Sequence, residues 1–177
     1  MLFRSVDWTP DIVPIVADIF ATPNSKVGHN TWLFDDPILA KHGISIAGPR
    51  HDTRWAWHAL QPDLPAHLQL VAQVYGWEFP WKHMAGTHFQ FYGVADVCAV
   101  QRIWSWLPRD LRHIRSGSGA TAWDGYDKMT REFEPILRDM ERRGIPVDAA
   151  HLGQFREWLT EEVAKRSEEH TSELQSP

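Results

Sequence analysis

The sequence has almost no cysteine, no long apolar run and no excess of positive charge. Its one cysteine, Cys98, excludes an internal disulfide framework and fits a reducing, cytoplasmic compartment. No apolar stretch approaches the length of a bilayer span, so no membrane partner is expected. No basic segment followed by an apolar one opens the chain, so no secretion signal is expected either. Ten histidines show neither His-x-His nor Cys-x-x-Cys spacing, which argues against zinc. A net charge of −5 argues against the broad basic patch that grips duplex DNA without sequence preference. It does not exclude contact with phosphates through metal ions, because cations then bridge acidic side chains to the phosphate oxygens. No internal repeat is visible.

What is present is apolar and aromatic. Hydrophobic residues make up 43% of the 177 positions, charged residues 23%, and there are ten tryptophans, enough for a packed core. The length fits one domain, or one domain and part of a second.

The organising stretch runs from Lys26 to Ile44. It predicts a short buried strand that delivers Asn30 to its end, then a helix whose first turn carries Phe34, Asp35 and Asp36, closed at Gly43 by a left-handed residue. An amide, a ring and an acid at the end of a strand form a candidate site. The alternative is that Asn30 caps the helix and the two acids complement its dipole.

Elsewhere the pattern is helical. Met1 to Val6 is expected to be an edge strand, and Thr9-Pro10 to open a helix that Pro14 delays by a turn. Asp52-Thr53 caps a helix through Leu60 with Trp55, Ala56, Ala59 and Leu60 on its inner face. Leu68, Val71, Ala72 and Tyr75 form another, closed by Gly76. Residues 77–90 are expected to form a surface loop near the site, with Trp77 and Trp81 either partly buried or free to stack on unpaired bases. A long helix over 91–107 places Tyr92 beside Asp96 on one face. His29, next to Asn30, either lines the site or is a buried, hydrogen-bonded ring. Residues 116–122, rich in Ser and Gly, are expected to be a linker between a domain over 1–115 and a helical hairpin over 123–165. Residues 166–177 lack apolar periodicity and look like translated sequencing adapter.

Several of these features occur together, in one order, in family A DNA polymerases, above all the phage type. Asn30-x-x-x-Phe34-Asp35 is similar to the second motif of the proofreading 3′–5′ exonuclease domain, and Tyr92-x-x-x-Asp96 to the third. Glu134-Pro135-Ile136-Leu137, Met140-Glu141, Gly144-Ile145 and Val147-Asp148 resemble the segment that opens the polymerase domain. The family's first motif, Asp-x-Glu, does not precede Asn30, and the chain is expected to start inside the domain. The resemblance implies an α/β, ribonuclease H-like fold lacking its first strands, followed by a helical hairpin. It implies hydrolysis of phosphodiester bonds at a DNA 3′ end by two Mg²⁺ or Mn²⁺ ions held by four carboxylates. Asp35 and Asp96 would be metal ligands, Tyr92 would orient the attacking water, and Asn30 would touch the substrate strand. Asp36 competes with Asp35 for its role. The implied partners are a single-stranded 3′ end and the rest of a polymerase chain, in a bacterium or a phage-infected host. The alternative is a noncatalytic domain that binds single strands or supports its neighbour.

Overall fold

A computed structural model describes residues 9–174, with side-chain environments to residue 167. The edge strand expected over Met1 to Val6 lies outside the described residues. The chain forms two compact units that divide between Pro135 and Ile136.

The first unit is mostly helical. Helix α1 (Ile12–Ala21) begins three residues after Thr9, whose carbonyl accepts from the Ile12 and Val13 N–H groups. That start places Pro14 in the first turn, where its missing N–H costs little. Strand β1 (Lys26–Gly28) pairs in parallel with β2 (Arg50–Asp52), in the register Lys26–Arg50, Val27–His51 and Gly28–Asp52. Helix α2 (Asp35–Lys41) makes the crossover between them. These are the only two strands among the described residues, so the unit is loosely α/β. The mixed sheet flanked by helices that the resemblance implies is not present among them. β1 is also half-buried rather than buried, because only one short neighbour covers it.

Helices α3 (Thr53–Leu60), α4 (Leu68–Val74), α5 (Phe89–Trp104), α6 (Leu107–His113) and α7 (Ala122–Lys128) build the core. Its fully enclosed members include Val71, Trp81, Ile103, Leu107, Leu111 and Tyr126. α5 carries small residues, Gly93, Ala95 and Ala99, on its buried side, and this lets it lie close to its neighbours. Trp57, rather than Trp55, is the most buried ring of α3, and its indole N–H donates to the Pro65 carbonyl at 3.2 Å.

The expected linker is a tight hairpin. Arg115 and Thr121 pair as an antiparallel bridge, and the Ser116 N–H donates to the Ala120 carbonyl at 2.8 Å. The chain then stays in the first unit. Thr121 and Asp124 cap α7 reciprocally, and the Tyr126 hydroxyl accepts from the Asp52 N–H at 3.0 Å. A Ser-Gly composition fixes turn propensity but not whether the next helix packs back. A π-helical turn (Met129–Phe133) follows.

Helix α8 (Glu134–Arg143) leads into the second unit, where α9 (Ala149–Leu174) follows. The Asp148 carboxylate caps α9 by accepting from the Ala150 and His151 N–H groups at 3.0 Å each. α9 continues through Leu174, so the helical pattern does not stop at residue 166. Its apolar residues Leu152, Phe155, Leu159 and Val163 are about half exposed, as expected of a hairpin too small to enclose a core.

Asp52 is wholly buried, and its carboxylate accepts from the N–H groups of Thr31 at 2.7 Å and of Asn30 and Arg54 at 2.9 Å. Leaving several such donors unmade costs about 1–3 kcal/mol each where they are buried. Asp52→Ala is expected to lower unfolding stability by about 3 kcal/mol, and Tyr126→Phe by about 1 kcal/mol. Urea unfolding followed by tryptophan fluorescence checks both, and an unchanged midpoint for Asp52→Ala contradicts the assignment.

Candidate functional site

A cavity of about 1180 Å³ is lined by both strands, by the turn after β1 and by helices α2 and α5. The residues singled out from sequence come to it from three directions. Asn30 lies two residues past β1, Asp35 and Asp36 open α2, and Tyr92 and Asp96 face it from α5.

The turn after β1 is built by Asp52. Its carboxylate gathers the N–H groups of Asn30 and Thr31, and Asn30 takes a left-handed conformation, φ 62°. Asn tolerates that region better than most residues. Gly28 makes room for Thr31, since a Cβ there would stand 2.0 Å from the Thr31 methyl, which would have to shift. Asn30 does not cap α2. The residue before that helix is Phe34, and no side chain caps it. The Asn30 side chain instead accepts from Arg54 at 2.6 Å, which brings an exposed guanidinium beside it.

Asp36 is held by Arg50 at 2.6 Å, and the same guanidinium reaches the buried Glu134 carboxylate at 3.3 Å. This ion pair ties Asp36 to the second strand and to the start of α8. Asp35 and Asp36 are both 5% exposed.

Asp96 is 4% exposed, and its two oxygens differ sharply. Oδ1 accepts from the Trp81 indole N–H and from the Lys82 ammonium, both at 2.6 Å. Oδ2 is buried with no hydrogen-bond partner. Lys82 also donates to the Tyr92 hydroxyl at 3.2 Å. Neither Trp81 nor Lys82 follows from the sequence motifs. Residues 77–90 are not simply a surface loop: Trp81 is 0% exposed and cannot stack on bases, and Lys82 opens a 3₁₀ turn (Lys82–Gly86). The available signal was a tryptophan next to a lysine ahead of α5, and nothing in its spacing pointed to Asp96.

His29 meets both expectations. It lines the cavity, and its Nδ1 lies 2.9 Å from the Thr53 hydroxyl, which donates to the Gly28 carbonyl at 3.0 Å. Burial of the ring lowers its pKa from 6.5 to about 4, against the opposing pull of the Ala66 carbonyl. Burial likewise raises the Asp52 carboxyl, and the four backbone N–H groups that point at it pull it back.

A hard divalent cation takes oxygen ligands, and a buried carboxylate oxygen without a donor is such a ligand. Asp96 Oδ2 therefore fits a cation. Among the described residues, however, no three His, Cys, Asp or Glu side chains converge.

The His29 shift has a signed consequence. The fold keeps the ring neutral, while the unfolded chain takes up a proton near pH 6.5. The stability this represents is complete above about pH 6.5 and is lost as pH falls toward 4, up to about 3 kcal/mol. His29→Gln is expected to flatten the fall in unfolding stability between about pH 7 and pH 5, measured by urea titration at each pH. A slope identical to that of the unchanged protein counts against it.

Comparison with protein-family models, with curated proteins and with solved structures found no match, and the chain is assigned to no family.

Proposed function

We propose that this chain is part of a DNA polymerase and carries part of a ribonuclease H-like 3′–5′ proofreading exonuclease site, acting on phosphodiester bonds at a single-stranded DNA 3′ end. One observation supports this most: Asn30, Asp35, Tyr92 and Asp96, from three separate elements, line one cavity. Four residues picked by motif from 67 positions of chain had no need to meet.

Asp96, through Oδ2, and Asp35 would hold Mg²⁺ or Mn²⁺. When bound, such ions supply positive charge against the phosphate and acidify water. The protein's own groups do the rest. Asn30 and the Arg54 guanidinium beside it would hold the terminal nucleotide, the cation answering the phosphate charge. The Tyr92 hydroxyl, already hydrogen-bonded on the cavity wall, would orient the attacking water. The buried surroundings of Asp35 and Asp96 strengthen each charge interaction that forms there.

Two carboxylates in place of four leave much of the electrostatic stabilisation unprovided. The chain alone is therefore expected to bind a short single strand in a Mn²⁺-dependent manner and to shorten it at no useful rate. Fluorescence anisotropy with a 3′-hydroxyl oligonucleotide measures the first, with Asp35→Asn and Asp96→Asn each weakening binding about tenfold. Gel analysis of a 5′-labelled strand measures the second. Binding that ignores both Mn²⁺ and the two substitutions would sink the proposal.

The second reading, a noncatalytic domain that binds single strands or supports a neighbour, draws on a specific contact. The Lys82 ammonium already sits on Asp96 Oδ1, so the acid has a cation of its own.

A further inference from the structure

We propose that Lys82 is a built-in competitor for the divalent cation at Asp96: its ammonium holds the acid while metal is absent and must leave Oδ1 for metal to bind there. The inference rests on the metal-dependent reading above and adds the residue that governs the loading of that site.

The geometry carries it. The Lys82 Nζ lies 2.6 Å from Asp96 Oδ1 and 3.2 Å from the Tyr92 hydroxyl. It also lies 4.8 Å from the centre of the Tyr92 ring and 5.2 Å from that of Trp81, within range of attraction by both. Trp81 fixes Oδ1 from the other side with a 2.6 Å hydrogen bond, so the carboxylate has little freedom to turn. Oδ1 is therefore satisfied twice, while Oδ2, equally buried, has no donor. Half the carboxylate is occupied by an internal cation, and the other half is buried without a donor.

Two charges of the same sign cannot share one carboxylate cheaply in a buried setting. A divalent ion that approaches Oδ2 meets the ammonium across a single carboxyl group. Binding then requires that Lys82 withdraw, and its flexible stem, 27% exposed at the side chain, gives it a way out toward solvent.

The reverse also follows. Without Lys82, Asp96 is a buried carboxylate with one indole donor, a strongly unfavourable state that a metal ion relieves. Lys82→Met is expected to bind Mn²⁺ at least tenfold more tightly than the unchanged full-length chain, measured by the loss of the free Mn²⁺ signal in electron paramagnetic resonance. It is also expected to gain more in thermal midpoint from added Mn²⁺. Lys82→Met/Asp96→Asn should lose both gains. If Lys82→Met folds poorly without metal, Mn²⁺ should restore its circular dichroism, and Lys82→Gln, which keeps a neutral donor to Oδ1, should show the intermediate affinity. Equal Mn²⁺ affinity in the unchanged chain and Lys82→Met, both lost with Asp96→Asn, overturns this inference and leaves the metal-dependent reading standing. Mn²⁺ binding that ignores Asp96 in every variant overturns both.

Discussion

The carboxylate of Asp52 holds the site end of the molecule together. It closes β2, caps α3 and ties down the N–H groups of Asn30 and Thr31 in the turn that follows β1. Its own N–H is met by the Tyr126 hydroxyl from α7. Two strands of three residues have little cohesion of their own, since a lone short pairing is marginal in water. One acid that links both strand ends to two helices replaces the neighbours a larger sheet would provide. The burial of Asp52 is unfavourable in itself, and it is tolerated because nearly every lone pair is answered by a backbone donor.

The buried acids of the first unit have their charges handled in different ways. Asp36 and Glu134 share Arg50, Asp52 takes backbone donors, and Asp96 takes an indole and an ammonium on one oxygen only. The asymmetry at Asp96, with Oδ2 buried and without a donor, sets it apart from the other acids. Charge balance of this kind is local, and it explains why a chain of net charge −5 can still present Arg54 and Lys82 at the same opening.

Much of the local structure was legible in the sequence. Caps and closers act over a few residues, so Asp52 and Asp148 at helix starts and Gly43 and Gly76 in left-handed closings could be read directly. The i, i+4 spacing of Tyr92 and Asp96 likewise fixed their common face. What depends on distant partners was not legible. Asn30 looked like a cap and is instead a left-handed turn residue bonded to Arg54. Residues 77–90 looked irregular because their order comes from Trp81 reaching across to Asp96, a contact that leaves no periodicity in the chain. The Ser-Gly stretch looked like a spacer because nothing local shows that Tyr126 returns to Asp52.

That return of Tyr126 bears on how the protein can be divided. A shortened form ending at the Ser-Gly hairpin would strip the hydroxyl from Asp52 and, with Glu134 gone, one of the two acids from Arg50. It would also remove Trp123 from the Trp104 ring, leaving only His51 stacked there. A piece that keeps these buried polar groups paired therefore runs past the hairpin and into α8, beyond Glu134.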